Sequence, residues 1–466
     1  MKFFVLLLFY PALIFAQKSS DLEPLEGKRG DVIGAIKNWQ SGQEDFKISL
    51  PVTKFKLENG LTVLLLEDHS VPIISYHTWY KVGSRDEAEG VTGAAHMLEH
   101  MMFKGAKKYS GKQFDQLMNE NGVQHNAFTT FDYTGFYQNF PSSKLEMIMD
   151  IELDRMSSLS LNPKELLSER DVVKEERRWR VDNNPRGILF ETTMSNVFKI
   201  HPYKWPVIGT MNDISNYSVE TLRKFYNEYY VPNNAVLVIA GDFKTAAVKK
   251  LVEKYYGQLK YKEVPVVTTP KEPSQTIQNN AFIRQEVQSI SVDIAFQGYP
   301  QGNEDMYALD LASYILGAGS SSRLHKRLVY QSQIATSAQA YHFSLKDHGL
   351  FNVGVSLKPG QAQEKALELV YNEIFKLRTQ KVTESELKKA KTLAMKSFVD
   401  GLMTIDEKAR ALAATEIVTG SYENLYTDLE KYNKVTIEDI QRVSAKMLNT
   451  NQRSIVILEP KVKAAL

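Results

Sequence analysis

The chain has 466 residues, and its 43% hydrophobic and 24% charged content is typical of a soluble globular protein with sizeable cores. With 57 basic and 55 acidic residues the net charge is +2, so overall charge gives no case for a nucleic-acid or acidic partner. The absence of cysteine excludes disulfides, thiolate-held zinc and lipid attachment through a cysteine.

The first residues have a basic start, an apolar run over 3–15 and a small residue at Ala16. This pattern predicts a signal peptide over 1–16, cleaved near Ala16, and an exposed N-terminal arm over 17–50. The alternative is an uncleaved membrane anchor, but the run is shorter than the roughly 20 residues of a spanning helix, and Pro11 interrupts it. We find no other sufficiently apolar segment, so the mature chain is expected to be exported, periplasmic or secreted, without a membrane span.

Strand patterns follow the arm. In "FKLENGLTVLLLED" (55–68), the Asn59-Gly60 pair between two short runs predicts a hairpin turn. Alternating apolar residues predict a second strand from 72 to Gly83, and the pattern becomes helical at about Val91.

The stretch "AAHMLEHMM" (94–102) concentrates residues that can bind metal. On a helix, His96 and His100 lie four residues apart on one face, so both can reach a single ion, with Glu99 beside it. Histidine pairs at this spacing are usually incidental. The glutamate between them favours a metal site, and a third ligand from elsewhere would favour it further.

A second predicted helix could supply that ligand. It opens at Asn162-Pro163, a capping residue followed by proline, and runs to Asn183-Asn184-Pro185. Glu169 and Glu176 fall on one stripe of this helix, whereas other glutamates such as Glu175 lie off it and are expected to be solvated. Spacing alone does not select the ligand among them.

An internal similarity predicts two related halves. Residues 219–239 and 437–457 align without a gap, and each segment has the pattern of a helix followed by a short apolar strand. The segment 261–280 contains three prolines and no helical period, which favours a linker. We therefore expect one α/β domain over 51–260 and a second over 281–466.

The sequence "HMLEH" (96–100) is the H-x-x-E-H pattern of the inverzincins. Together with "LENGLTVLL", "VGSRDE", "GAAHMLEHMMFKGAKKYS" and "SERDVVKEE", it resembles the pitrilysin (insulinase-like) zinc metallopeptidases, most of all their processing-peptidase branch. The resemblance covers nearly the whole mature chain. It implies an α+β fold in which two similar halves, each an antiparallel-rich sheet with packed helices, close as a clamshell around a chamber.

The resemblance also implies roles for individual residues. His96, His100 and Glu176 would hold one Zn²⁺ per chain, and Glu99 would act as general base. Glu169 would support a ligand histidine. Such a donor set leaves the fourth zinc position open for water, although manganese or cobalt can fit the same donors.

Substrate is implied to lie along the strands predicted over 121–140. Asn126, Ala127, Phe128 and Thr129 match the family's N-A-x-T motif, where a peptide adds as an extra strand, and Asn126 and Ala127 are the expected substrate contacts. The alternative is an ordinary sheet strand with Asn126 in a turn. Peptides or small unfolded proteins are therefore the expected substrates, and no nucleic-acid partner is expected.

The second half departs from the family pattern. An arginine and, seven residues later, a tyrosine usually hold substrate there, but this chain has Val329 and Thr336 at those positions. A zinc-free related subunit in a heterodimer could supply the missing pair, or the chain could act alone or as a homodimer, or with very low activity. A non-catalytic subunit of the same fold and an exported two-lobed binding protein are the alternative functions, but neither requires Glu99 beside paired histidines.

Overall fold

A computed structural model describes residues 49–461 as two β-sheets with helices packed against them. The predicted signal peptide and nearly all of the predicted N-terminal arm lie outside the described residues. Between residues 49 and 461, no helix combines the length and apolar character required to span a bilayer.

The first sheet contains six strands: β1 (Val52–Lys56), β2 (Thr62–Glu67), β3 (Ile73–Tyr80), β4 (Gln124–Thr129), β5 (Thr134–Pro141) and β6 (Ala235–Gly241). Their order is β1-β2-β6-β3-β5-β4, and all neighbours are antiparallel except β2 and β6. The predicted hairpin turn joins β1 to β2, with Gly60 at a φ of +90° that favours glycine. Strand β4 is an edge strand, so one of its sides faces away from the sheet.

The first half of the described chain contains eight α-helices: α1 (Ala94–Met101), α2 (Gly111–Glu120), α3 (Leu145–Ser158), α4 (Pro163–Arg177), α5 (Pro185–Val197), α6 (Met211–Asn216), α7 (Val219–Tyr229) and α8 (Thr245–Tyr256). Helices α1, α3, α7 and α8 contribute apolar side chains to one large core on a single face of the sheet. Helix α4 begins at the predicted Asn162 cap, but its predicted last turn is a π-helix, Arg178–Asp182.

The second sheet contains five strands: β7 (Asn279–Gln285), β8 (Ser291–Gly298), β9 (Ala335–Ser344), β10 (Gly349–Leu357) and β11 (Arg453–Pro460). Their order is β7-β11-β8-β10-β9, with only β7 and β11 parallel. The α-helices of the second half are α9 (Met306–Gly317), α10 (Gln363–Thr379), α11 (Glu384–Asp400), α12 (Ile405–Thr419), α13 (Asn424–Lys434) and α14 (Ile437–Met447). The predicted repeat is present, because α7 and β6 recur as α14 and β11 at the same spacing. The predicted α+β fold with antiparallel-rich sheets is confirmed.

Each sheet is also covered by one helix from the other half of the chain. On α5, Leu189 packs against Val456 and Leu458 of the second sheet. Helix α12 packs in return on the first sheet, where Ala409 and Leu412 share a core with strands β2, β3 and β6. The two halves therefore interlock through exchanged helices.

The predicted linker is extended, without a helix or strand before β7 begins at Asn279. It is anchored at Glu272, a buried carboxylate that accepts hydrogen bonds from the backbone N–H groups of Lys199, Ile200 and His201 at 2.8, 2.9 and 2.7 Å. The linker is thereby fastened to the loop that follows α5.

Candidate metal centre

Helix α1 carries both predicted histidine ligands, and Glu87 anchors its first turn. The buried Glu87 carboxylate accepts hydrogen bonds from the N–H groups of Gly93 and Ala95 at 2.6 and 2.8 Å. Such N–H groups lack partners inside a helix, and the Glu87 side chain supplies acceptors for two of them. Gly93 has a φ of +85°, and a Cβ there would lie 2.5 Å from the Ile208 carbonyl oxygen. Nothing in the spacing of Glu87 marks it as this anchor.

The structure brings His96, His100 and Glu176 together. Glu176 Oε2 lies 3.3 Å from His100 Nε2 and 3.8 Å from His96 Nε2, and one donor atom from each residue lies within 4.8 Å of the others. Tetrahedral zinc with bonds of roughly 2.0–2.2 Å requires donors roughly 3.3–3.6 Å apart. The donor set and its size therefore fit one zinc ion with a fourth position left for water.

Glu169 contacts His100 on the opposite edge of its ring. Glu169 Oε1 lies 2.8 Å from His100 Nδ1, and Glu169 Oε2 lies 2.5 Å from Lys104 Nζ. A carboxylate in this place keeps a proton on Nδ1, so Nε2, the nitrogen that faces Glu176, is the one available to a metal ion. Carboxylates commonly orient metal-binding imidazoles in this way.

Burial and mutual contact displace the pKa values of the cluster. Burial, together with the nearby charge of His100, lowers the pKa of His96 to about 3. Burial would also lower the pKa of His100, but hydrogen bonds to Glu169 and Glu176 outweigh it and raise that pKa to about 10. Burial would raise the pKa of Glu176, but the contact with His100 and neighbouring positive charges lower it to about 2. In the metal-free cluster His100 therefore holds an extra proton at neutral pH. Binding of a metal ion would release that proton.

Glu99 lies beside the three-residue cluster and has a different kind of partner. Thr129 Oγ1, from edge strand β4, donates a 2.6 Å hydrogen bond to Glu99 Oε2. Burial raises the pKa of Glu99, while the charge of His100 and the Thr129 hydrogen bond oppose the rise. A carboxylate in such surroundings is suited to accept and release a proton. Thr129 is the last residue of the N-A-x-T motif, but its contact with Glu99 cannot be read from the sequence, because alternation along a strand does not show which helix a side chain reaches.

The other predicted substrate residues lie on the same edge strand. Asn126 and Ala127 line the chamber that the metal cluster also faces. Ala127 is buried, and its N–H donates to Asn126 Oδ1 at 2.9 Å. The His125 ring packs against the rings of Phe103 and Phe114, with centroids 5.7 and 5.1 Å away, which is a packing role.

This chamber measures about 2460 Å³ and lies between the two halves. The first half lines it with α1, β4 and α4, and the second half with the end of α9, strand β9 and helices α11 and α12. Tyr341 and Arg410 are among the second-half residues that face it. A peptide inside the chamber would therefore touch both halves, as the clamshell prediction requires.

The positions that lack the family's arginine and tyrosine are engaged within the second half, Val329 in the π-helix His325–Gln331 and Thr336 in strand β9. Val329 packs against the core of the second half, and Thr336 Oγ1 donates to the Ser356 carbonyl oxygen at 3.1 Å. Arg323, which is nearby in the sequence, is engaged in an ion pair with Glu386 at 2.7 Å. None of these residues is among the described residues that line the chamber.

Two family models match the chain. Residues 62–211 match the model described as insulinase (peptidase family M16), and residues 216–393 match the one described as peptidase M16 inactive domain. His96, Glu99, His100, Glu169 and Glu176 all fall within the first match.

Individual proteins are similar over most of the chain. Zinc protease PqqE of Helicobacter pylori (strain ATCC 700392 / 26695) is 32% identical over 410 residues, which cover 87% of this chain and 92% of that protein. The uncharacterized zinc protease YmxG of Bacillus subtilis (strain 168) is 25% identical over 409 residues, which cover 88% of this chain and 98% of that protein. The crystal structure of a protease from Helicobacter pylori superposes with a TM-score of 0.84 at 31% identity, and the match covers 88% of this chain and 100% of that one. The periplasmic protease PqqL from Escherichia coli shares the fold, with a TM-score of 0.74 at 17% identity, and the match covers 89% of this chain and 48% of that one.

Proposed function

The chain belongs to the insulinase family of peptidases, peptidase family M16, and on that premise we propose that it is a zinc-dependent endopeptidase. The observation that carries the proposal is the convergence of His96, His100 and Glu176, with Glu99 beside them, on the wall of a chamber. Relatives named as zinc proteases support zinc as the ion.

The side chains of the centre divide the work of hydrolysis. When bound, zinc supplies an activated water and polarises the scissile carbonyl. His96, His100 and Glu176 would hold the ion. Glu99 takes a proton from the attacking water as the water oxygen bonds to the carbonyl carbon. It returns a proton to the amine nitrogen when the C–N bond breaks, so one water and one peptide bond give one carboxylate and one protonated amine.

An extended peptide is the substrate that the chamber suits best. Strand β4 lies at the edge of its sheet and carries Thr129, which contacts Glu99, so a peptide paired with β4 would pass the catalytic carboxylate. Backbone hydrogen bonds would provide most of the affinity and little sequence preference. Asn126 and Ala127 are proposed to contact that peptide.

The test of this function compares the wild type with Glu99→Gln and Glu165→Gln, using a quenched fluorescent peptide and zinc analysis. Glu99→Gln is expected to keep its zinc and lose about 10²–10⁴-fold in kcat, since it removes the general base. Glu165→Gln changes an exposed carboxylate that also lines the chamber, and it should keep both zinc and activity. Activity that survives removal of zinc by a chelator would contradict the proposal, and loss of zinc from Glu99→Gln would make Glu99 a ligand.

We also propose that the chain is exported and works with a second subunit. The signal-like sequence over 1–16 supports export, and Val329 and Thr336 support the need for a partner that supplies an arginine and a tyrosine. Sequencing of the mature N-terminus tests the first idea. Mixing with a zinc-free related subunit tests the second, because an unchanged rate of peptide hydrolysis would leave the chain acting alone or as a homodimer.

A further inference from the structure

The turn that follows helix α4 carries an arginine that contacts one of the three clustered residues. Arg180 lies in the π-helix Arg178–Asp182, and its Nη1 forms an ion pair with Glu176 Oε1 at 2.8 Å. The other oxygen, Oε2, is the one that faces His96 and His100. The two oxygens of one carboxylate are thus divided between a guanidinium and a pair of imidazoles.

The backbone of this turn is held in an uncommon conformation. π-Helical turns are rare and often occur at functional sites. Asn183 N–H donates to the Arg178 carbonyl oxygen at 2.8 Å, closing the wide turn. Arg177, the last residue before the turn, donates to the Gly209 carbonyl oxygen at 2.7 Å and to both carboxylate oxygens of Glu191 at 3.1 Å. These bonds fix the start of the turn relative to the rest of the first half.

Helix α5 passes directly against the same turn. A Cβ on Gly187 would lie 2.0 Å from the Arg180 carbonyl oxygen and 2.8 Å from Val181 Cα, so only glycine permits this approach. The Arg180 side chain lines the chamber, and its Nε is buried without a hydrogen-bond partner in the described part of the chain. Arg180 is therefore presented to Glu176 by a backbone that is fixed from two sides.

We propose that Arg180 is a positioning residue that holds Glu176 Oε1, so that Oε2 alone is presented to the metal ion. The inference rests on the proposed function only in taking His96, His100 and Glu176 as metal ligands. Without the guanidinium, the carboxylate could turn away or bind through both oxygens, which would occupy the position that water needs. Residues that orient a ligand typically change metal affinity about 10–100-fold when they are replaced.

The test measures zinc affinity by competition with a coloured chelator and records the visible spectrum of the Co²⁺-loaded protein. Arg180→Ala is expected to weaken zinc binding about 10–100-fold and to weaken the Co²⁺ bands, since an added ligand oxygen raises the coordination number. Arg180→Lys should recover part of the affinity, because it keeps the charge but not the planar fork. Arg178→Ala removes the same charge from the same turn, where Arg178 pairs with the exposed Glu175, and should change neither readout.

Arg180→Ala that binds zinc as tightly as the wild type with an unchanged Co²⁺ spectrum would overturn the inference. An equal loss of zinc affinity in Arg178→Ala would also overturn it, because the loss would then result from the change in net charge and not from the contact with Glu176. Thermal midpoints of all three variants separate misfolding from loss of the ligand contact, and Arg180→Lys provides the comparison if Arg180→Ala unfolds. A wild type that binds no zinc, or His100→Ala that binds it normally, would instead remove the ligand assignment of the proposed function.

Discussion

At the scale of single residues, four glutamates near the centre differ in role because they differ in partner. Glu87 is bonded to backbone N–H groups and anchors helix α1. Glu169 is paired with a lysine and a histidine, and Glu176 with two histidines and Arg180. Glu99 has the Thr129 hydroxyl as its hydrogen-bond partner, so it is the carboxylate best able to exchange a proton during turnover.

The sequence predicts the local part of this arrangement and misses the contacts between distant elements. Helical spacing alone places His96 and His100 on one face with Glu99 beside them. It cannot choose Glu176 among the glutamates of α4, since that choice depends on how α4 packs against α1, and the family resemblance supplied it. Thr129 completes the N-A-x-T motif, but that match does not reveal its contact with Glu99. Arg180 carries no such signal, because a surface-like arginine is ordinary in any sequence.

Replacement of Thr129 by valine tests whether its hydroxyl positions the general base. The variant removes a hydrogen bond to a charged group, which is typically worth about 1.5–3 kcal/mol. We expect kcat for peptide hydrolysis to fall about 10–100-fold, with KM and zinc affinity nearly unchanged. Thr129→Ser keeps the hydroxyl and should retain most activity, so equal losses in the two variants would assign Thr129 to packing instead.

At the scale of elements, capping residues predict where helices begin, and tertiary contacts decide how they end. Asn162 and Thr383 accept hydrogen bonds from the first turns of α4 and α11, as capping chemistry requires. The π-turn after α4 depends on Arg177 and on Gly187 of the next helix, which no local pattern connects. Likewise, an amphipathic pattern shows that one face of α5 or α12 is buried, but not that the sheet beneath it belongs to the other half.

The contact between α5 and the second sheet should give the protein a pH-dependent stability. Asp293 of β8 accepts a 3.2 Å hydrogen bond from Thr193 Oγ1 of α5, and burial raises the pKa of Asp293 to about 6. In the unfolded chain the pKa of Asp293 should have its ordinary value of about 3.9. Between about pH 3.9 and about pH 6 the folded state therefore binds more protons than the unfolded state. The stability contributed by protonated Asp293 is therefore present below about pH 4 and is lost as pH rises to about 6.

Asp293→Asn should remove this dependence, because the amide resembles the protonated acid. We expect the variant to exceed the wild type in free energy of unfolding by on the order of 1–3 kcal/mol at pH 8, and the difference to shrink towards pH 4. Urea unfolding of both proteins across this pH range provides the measurement. Asp171→Asn, which changes an exposed carboxylate, is the matched control. A difference between Asp293→Asn and the wild type that stays constant with pH would contradict the assignment.

At the scale of the whole molecule, the internal repeat predicts two halves but not how firmly they are joined. The proline-rich segment has the composition of a linker, yet Glu272 fastens it through three backbone N–H groups. Ion pairs between the halves add to the exchanged helices, with Lys408 Nζ 2.8 Å from Asp68 Oδ2 and Lys54 Nζ 2.7 Å from Glu416 Oε1. These contacts favour a chamber of defined size over two loosely tethered lobes.

Chamber size predicts which substrates the protein can cleave. A folded 100-residue domain with a radius of gyration of about 13 Å occupies roughly 20,000 Å³, whereas the chamber measures about 2460 Å³. A folded domain also has few unpaired backbone groups that could pair with strand β4.

We expect a permanently unfolded, reduced and alkylated protein to be cleaved at least 100-fold faster than its native disulfide-bonded form. Gel analysis of both forms gives the rates, and Glu99→Gln serves as the inactive control. Comparable cleavage of the native form would show that the halves open widely enough to admit folded proteins, which would contradict selection by the chamber.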